Sequence, residues 1–220
     1  MASRNQSVEP RRPAPRLYLV TPPASDPSRY ADMLAAALGA TDVAAVLLPL
    51  AGTDERTLLN GIKAIAPMVQ DKGAALILDG HPDLVARAGA DGAHLTGIDA
   101  FNAALAALKP ERIAGCGGLA TRHDAMAAAE AGADYVMFGE PDAREHRPSF
   151  DAIVERIEWW ADVFEIPCVG YAAALDEIAP LTQAGADFVA VGDFIFKDAR
   201  GPATALAAAA DRLSLAEAAG

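Results

Sequence analysis

Short apolar runs alternate with longer amphipathic stretches along the chain from residue 17 onward. The longer stretches repeat apolar residues at helical spacing, and several open on Pro, Ser, Thr or Asp, which favour helix starts. Apolar strands that alternate with helices form parallel β/α units. Eight candidate strands fit this pattern, namely Leu17–Thr21, Ala44–Leu48, Ala74–Leu78, Gly92–Leu95, Arg112–Cys116, Tyr135–Phe138, Cys168–Tyr171 and Phe188–Val191. Eight such units predict an α/β fold, the TIM (β/α)8 barrel.

The tetrapeptide AGAD occurs three times, each time between a predicted helix and the next strand. Its copies are Ala88–Asp91, Ala131–Asp134 and Ala184–Asp187. Glycine at this position can adopt the left-handed conformation that ends a helix. The copies therefore mark the bottom of the predicted barrel, the face that concerns stability, and we expect no catalytic role for their aspartates.

The chain of 220 residues, 52% of them hydrophobic, is long enough for one domain with a substantial core. We expect a single barrel domain over residues 16–214, a disordered basic tail over residues 1–15 and a flexible C-terminus over residues 215–220. The opening MASRNQSVEPRRPAPR lacks the apolar segment of a secretory signal. No apolar run approaches the length of a membrane span, so no membrane association is predicted.

The formal net charge of -12 disfavours binding to nucleic acid or to an anionic membrane surface. Cys116 and Cys168 fall in predicted strands and form no CxxC pair, which is typical of buried thiols in a reducing compartment. These features predict a cytoplasmic protein that acts on a small-molecule substrate. The stretch IEWWADVF has aromatic residues at helical spacing, and both core packing and a contact between copies in a homo-oligomer remain open for it.

Candidate chemistry is expected just after the strands, because TIM barrels place their active sites at the carboxyl ends of the strands. The stretch ILDGHPDL puts Asp79 and His81 directly after a predicted strand. His81 could act as an acid, a base or an anion donor, or it could be a solvated turn residue. Asp79 and Asp99 follow adjacent strands and could share a divalent cation. Asp99 also stands where it could cap the following helix.

The order of these segments resembles the thiamine phosphate synthase family and its thiazole tautomerase relatives, a group of TIM barrels. The resemblance covers nearly the whole predicted barrel, through LYLVT, LILDGHPDL, GADGAHLTGID, GADYVMFG and GADFVAVGDFIF. The strongest match, ADGAHLTGID, is similar to the family's Ala-Asp-Gly-Val-His-Leu-Gly-Gln-x-Asp. The resemblance implies joining of hydroxymethylpyrimidine diphosphate to thiazole phosphate. It also implies Mg²⁺ on Asp99, with Asp79 as a substitute for the family's second ligand.

The chain departs from the family pattern where the chemistry is expected. Asp79–His81 replaces the family's Asn-Asp-Arg, and Ala172–Ala173 replaces a Gly-Gly that approaches the thiazole phosphate. Asp193 replaces a small hydroxyl, and its carboxylate would repel a phosphate. A paralogue that binds a thiamine-related or other small ligand without synthase activity is therefore a second hypothesis. A tautomerase or isomerase of a small phosphorylated ligand is a third, although Ala120 stands where that enzyme's histidine is expected.

The candidate site residues share a position at or just after the end of a predicted strand. The catalytic candidates are His81, Asp79 and Asp193, and the candidate Mg²⁺ ligands are Asp99 and Asp79. The substrate-binding candidates are Thr96, Gly117, Gly139, Glu140, Arg144, Arg147, Gly170, Ala172, Ala173 and Gly192. Two of these are cations from EPDAREHRP, which stands where the family has Thr-x-Thr-Lys.

Overall fold

A computed structural model describes residues 13–52, 54–142 and 144–219. Eight parallel strands form a closed barrel in which each strand pairs with the next and the last pairs with the first. The strands are β1 (Arg16–Val20), β2 (Val43–Pro49), β3 (Ala75–Asp79), β4 (Gly92–Thr96), β5 (Ile113–Gly117), β6 (Tyr135–Phe138), β7 (Cys168–Ala172) and β8 (Phe188–Val191). The predicted TIM barrel is confirmed, and no strand boundary differs from its prediction by more than one residue.

Helices surround the barrel and alternate with the strands. They are α1 (Ala31–Ala40), α2 (Glu55–Asp71), α3 (Pro82–Ala88), α4 (Ile98–Leu108), α5 (Arg122–Glu130), α6 (Phe150–Val163), α7 (Ile178–Gln183), α8 (Asp193–Phe196) and α9 (Pro202–Ala219). The last helix, α9, packs against both α1 and α7 and so closes the helical ring. No helix of the described ranges is long and apolar enough to span a membrane.

The structure describes the two ends of the sequence to different extents. At the C-terminal end, where we expect a flexible segment over residues 215–220, α9 continues as a helix to Ala219, and residue 220 is not described. The sequence LSLAEAA that carries this extension is rich in Ala, Leu and Glu, which favour helix over flexible chain. The predicted N-terminal tail lies largely outside the described residues, since residues 1–12 are not described.

The three AGAD aspartates are structural, as predicted. Each carboxylate accepts a hydrogen bond from a backbone N–H near the start of the strand that precedes it, which is β3, β5 or β7. The three bonds run from Leu76 to Asp91 at 2.7 Å, from Ala114 to Asp134 at 2.7 Å and from Cys168 to Asp187 at 2.8 Å. The glycine of each copy has a positive φ, of 76°, 97° and 94° in chain order. The repeat thus ends a helix and ties the following turn to the bottom of the barrel.

The aromatic stretch of α6 contributes to the core. Trp160 is fully buried, and its indole N–H donates to the Ile166 carbonyl at 2.8 Å. Trp159 is half-buried, and the Arg122 guanidinium lies 4.7 Å from its ring centroid. Core packing therefore accounts for Trp160, while the homo-oligomer remains a prediction.

Candidate active site

A cavity of about 750 Å³ opens at the carboxyl ends of β3 to β6. This is the face of the barrel on which the sequence predicts the site. Its wall combines the apolar side chains of Leu119, Met137, Phe138 and Ile153 with the polar side chains of Asp79, Thr96, Glu140, Asp142, His146, Arg147 and Arg156. The cavity therefore offers apolar cover for a flat ring together with a small number of polar groups that can fix its orientation.

A chain of buried polar side chains runs through the barrel interior beneath the cavity. The hydroxyls of Tyr18 and Tyr135 share a hydrogen bond of 2.8 Å, and the Tyr135 hydroxyl lies 3.0 Å from Nδ1 of His94. Burial lowers the pKa of His94 to about 4, so its imidazole is neutral near pH 7. Burial also raises the pKa of both tyrosines. These three hydrogen-bonded side chains are thus uncharged near pH 7, and their hydrogen bonds offset the cost of burying polar groups.

Two glycines of β5 make room for these side chains. A Cβ on Gly115 would overlap the ring of Tyr135. A Cβ on Gly117 would meet Oε1 of Glu140 and the Nε2 edge of His94. The lack of a side chain at Gly115 therefore lets Tyr135 lie against β5 inside the barrel. The lack of a side chain at Gly117 lets Glu140 and His94 approach each other at the mouth of the barrel.

Two carboxyl groups face the cavity, one at the end of β3 and one just after β6. Glu140 is half-buried after β6, and its Oε1 accepts a hydrogen bond from the Gly118 N–H. Burial raises the pKa of Glu140 to about 7, against the lowering effect of that N–H. Burial also raises the pKa of Asp79 at the end of β3, and within the described residues its carboxylate accepts no hydrogen bond. The resting cavity thus contains an unpaired carboxyl group and a second one that changes charge near neutral pH.

The predicted residues around Asp79 have distinct positions. His81 precedes α3 in the left-handed region, with φ of 51°, and its Nδ1 lies 3.1 Å from the Asp79 carbonyl. Thr96 ends β4 at the cavity wall. Asp99 is exposed in the first turn of α4 and is not its cap, because Gly97 occupies the N-cap position. The helix-capping alternative for Asp99 is therefore wrong.

The described ranges contain no group of three or more His, Cys, Asp or Glu side chains arranged to hold a metal ion. Mg²⁺ does not require such a group, since it is commonly held by one or two carboxylates together with substrate phosphates and water. The unpaired carboxylate of Asp79 and the exposed carboxylate of Asp99 fit that pattern in chemical type. The Mg²⁺ site thus stays a prediction.

The predicted phosphate cup after β7 and β8 already holds a carboxylate of the protein itself. The N–H of Ala173 donates to Oε2 of Glu177 at 2.7 Å, and both oxygens of Glu177 lie 3.0 Å from Nη1 of Arg147. Asp193, the third predicted catalytic residue, begins α8 on the exposed side and forms an ion pair with Lys197 at 2.6 Å. Neither Ala172 nor Ala173 nor Gly192 borders the main cavity.

The two predicted substrate-binding arginines differ in their surroundings. Arg147 lines the cavity, but its guanidinium donates to the carbonyls of Gly139 and Tyr171 as well as to Glu177. Its side chain is only 20% exposed. It therefore ties the loop after β6 to β7. Arg144 is exposed in the same loop and lies outside the cavity wall.

The predicted glycines also divide by position. Gly117 and Gly139 adjoin the cavity residues, the latter with φ of 91°. Gly170 instead faces the surrounding helices, since a Cβ there would meet Ile157 of α6 and Leu181 of α7. Because its neighbour Tyr171 lines the barrel interior, the two-residue alternation of a strand puts Gly170 on the helix-facing side.

Sequence reasoning assigned no role to two residues that the structure brings to the site. His94 lies within ADGAHLTGID, and its separation by two residues from both Gly92 and Thr96 is the signal that would have placed it on the inward face of β4. Arg156 reaches the cavity from α6, and its Nη1 donates to the Leu119 carbonyl at 2.7 Å. It is a positive group near Glu140, and its charge lowers the pKa of that carboxyl.

Comparison with known proteins agrees with this architecture. Solved structures that resemble the barrel include thiamine phosphate pyrophosphorylase from Pyrococcus furiosus, with a TM-score of 0.76 and 17% identity over 91% of this chain and 96% of that one. Another is 3-hexulose-6-phosphate synthase from Salmonella typhimurium, with a TM-score of 0.70 and 17% identity over 91% and 99% of the two chains. At these identities the likeness defines the class by fold, a TIM barrel with its cavity at the carboxyl ends of the strands.

Sequence comparison defines the family. Residues 17–195 match the family model described as Thiamine monophosphate synthase. The chain is 42% identical over 196 residues to the thiamine-phosphate synthase of Rhodospirillum centenum, covering 87% of this chain and 94% of that protein. It is 36% identical over 206 residues to the thiamine-phosphate synthase of Hyphomonas neptunium, covering 90% and 93%. The chain belongs to the thiamine monophosphate synthase family.

Proposed function

We infer that this protein is a thiamine-phosphate synthase, which joins hydroxymethylpyrimidine diphosphate to thiazole phosphate and releases pyrophosphate. The observation that carries this conclusion is the near-full-length match to thiamine-phosphate synthases, at 42% identity over 94% of one of them. The cavity supports it, since its volume of about 750 Å³ accommodates small substrates and it opens on the face where TIM barrels perform their chemistry.

The residues of this chain serve the reaction by positioning its substrates. The apolar wall around Met137 and Phe138 covers a flat ring and excludes water from it. Asp79 and Asp99 would hold Mg²⁺, which supplies charge neutralisation for the departing pyrophosphate when it is bound. Holding the two substrates together converts a bimolecular encounter into a step within one complex, which is a large share of what such an enzyme contributes.

The direct test is formation of thiamine phosphate from the two substrates and Mg²⁺. We expect product from the wild-type protein, and we expect Asp79→Ala and Asp99→Ala to lower its rate at least tenfold. A matched control is Asp151→Ala, which removes an exposed carboxylate from the first turn of α6. Absence of product from the folded wild-type protein in excess would refute the synthase function.

A second candidate function is ligand binding without synthase turnover. The observation that favours it is the Glu177 carboxylate, which fills the group of donors formed by the Ala173 N–H and Arg147. If this internal anion excludes a substrate phosphate, thiazole phosphate should bind weakly to the wild-type protein and at least tenfold more tightly to Glu177→Gln. Equal binding to both proteins, together with synthase turnover, would exclude this candidate.

The proposal places the reaction in the cytoplasm and requires only small-molecule partners, with no nucleic acid and no membrane. The two cysteines support a reducing compartment, since Cys116 and Cys168 are both buried within strands of the barrel. The acidic net charge of -12 agrees with the expected lack of nucleic-acid binding. A homo-oligomer is part of the same proposal.

A further inference from the structure

We propose that Glu140 recognises the aminopyrimidine edge of the pyrimidine substrate, and that Gly117 determines this specificity by making room for it. The inference rests on the proposed function, because it names the part of one substrate that the cavity binds. The residues that carry it are the Glu140 carboxyl group, the Gly118 N–H that orients it and the open position at Gly117.

The Glu140 carboxyl group is held in place by backbone donors. Its Oε1 accepts the Gly118 N–H, the backbone N–H of Glu140 itself also interacts with the carboxyl group, and no side chain of the described residues donates to it. The backbone at Gly118 has φ of 63°, a left-handed conformation that glycine adopts without strain. The carboxyl group is therefore held in one orientation at the cavity wall before any ligand arrives.

A protonated carboxyl group matches an aminopyrimidine in its hydrogen-bonding pattern. The ring edge presents an amino N–H beside a ring nitrogen that accepts, and the carboxyl group presents a carbonyl oxygen beside an O–H. Burial of Glu140 and the nearby negative charge of Asp79 both favour the protonated form, while the Gly118 N–H and the positive charge of Arg156 oppose it. The pair can form two parallel hydrogen bonds that share one proton.

The charges of the cavity decide which end of the substrate meets Glu140. The Glu140 carboxyl group lies on the wall, and it repels a phosphate when it is ionised. The apolar side chains of Met137, Phe138 and Leu119 belong to the same wall and suit the faces of a ring. The ring is therefore the part of hydroxymethylpyrimidine diphosphate that faces Glu140, and the diphosphate lies away from it.

Calorimetry with two small probes tests this inference without requiring turnover. The first probe is 4-amino-5-hydroxymethyl-2-methylpyrimidine, and the second is the same molecule without the amino group. We expect Glu140→Leu and Gly117→Ala each to weaken binding of the first probe at least tenfold, since each removes or displaces the paired hydrogen bonds. Glu140→Gln should stay within about threefold of wild type, because an amide keeps one donor and one acceptor.

Two controls separate recognition from general damage. Gly39→Ala adds a methyl group in α1 where nothing lies within 4 Å, and it should bind the first probe as the wild type does. The second probe should show a smaller difference between wild type and Glu140→Leu than the first probe does, because it cannot make the amino hydrogen bond. Thermal unfolding checks that each variant is folded. If Gly117→Ala does not fold, the comparison of Glu140→Leu with Glu140→Gln still tests the inference.

Synthase turnover measured in parallel distinguishes the two claims. Product formation together with unchanged binding by Glu140→Leu would overturn this inference and leave the proposed function intact. No product, together with aminopyrimidine binding that depends on Glu140, would support this recognition and refute the synthase function. Failure of the wild-type protein to bind the first probe would overturn the inference.

Discussion

The raised pKa of Glu140 predicts that this residue makes the protein less stable as the pH rises. The folded protein holds the proton up to a pKa of about 7, whereas the ordinary value is 4.5. Between these values the unfolded chain binds fewer protons than the folded one, so the free energy of unfolding falls as the pH increases. This difference in pKa corresponds to a loss of at most ~3 kcal/mol in the free energy of unfolding once the pH exceeds 7, and contact of Glu140 with solvent reduces that loss.

Glu140→Gln removes this titration while keeping the size and the acceptor of the side chain. Urea unfolding at pH 5 and pH 8 measures the effect. We expect the difference in the free energy of unfolding, Glu140→Gln minus wild type, to be ~2 kcal/mol larger at pH 8 than at pH 5. The reason is that most of the cost of ionising Glu140 in the folded protein develops between those two values. The matched control is Glu158→Gln on the exposed side of α6, which should follow the wild type at both values.

The result that would refute this reasoning is a constant difference between Glu140→Gln and the wild type at pH 5 and pH 8. Such a result would mean that Glu140 ionises alike in the folded and unfolded states. The cavity would then contain a permanently charged carboxylate at neutral pH, and the pairing with an aminopyrimidine would require the proton to come from the ligand.

Three further predictions concern the polar chain inside the barrel. Burial holds the pKa of His94 at about 4 in the folded protein, so the free energy of unfolding should fall as the pH drops from 6.5 toward 4. In urea unfolding, His94→Gln should lose less stability than the wild type over that pH range. Tyr135→Phe should cost about 1–3 kcal/mol in the same assay and more than Tyr18→Phe, since only the former leaves both of its hydrogen-bond partners unpaired. Gly115→Ala should lower stability by about 1–3 kcal/mol by overlapping the Tyr135 ring, whereas Gly39→Ala in open space should not lower it.

The barrel could be predicted from sequence because its local signals are strong and repeated. Parallel strands covered by helices are continuous apolar runs, so Ala75–Asp79 and Tyr135–Phe138 stand out from the amphipathic helices around them. The AGAD repeat added the position of the barrel's bottom, which in turn assigned Asp79 and Glu140 to the opposite face. Knowledge of the fold thus limited the candidate site to the ends of the strands.

Contacts within the site were harder to predict, because they join side chains that are far apart along the chain. The hydrogen bonds among Tyr18, His94 and Tyr135 connect β1, β4 and β6, and no local pattern indicates them. The same holds for Glu177, which lies beyond β7 yet binds Arg147 from the loop after β6. The helix-facing position of Gly170, by contrast, follows from strand alternation alone, because its neighbour Tyr171 lines the barrel interior.

The measurement that most directly tests the central claim is a single-turnover experiment that quantifies thiamine phosphate and pyrophosphate together. The protein is mixed in excess with hydroxymethylpyrimidine diphosphate, thiazole phosphate and Mg²⁺. We expect equal amounts of the two products, formed at the same rate, because one joining step forms thiamine phosphate and releases pyrophosphate. Pyrophosphate without thiamine phosphate, or neither product from the folded protein, would contradict this expectation.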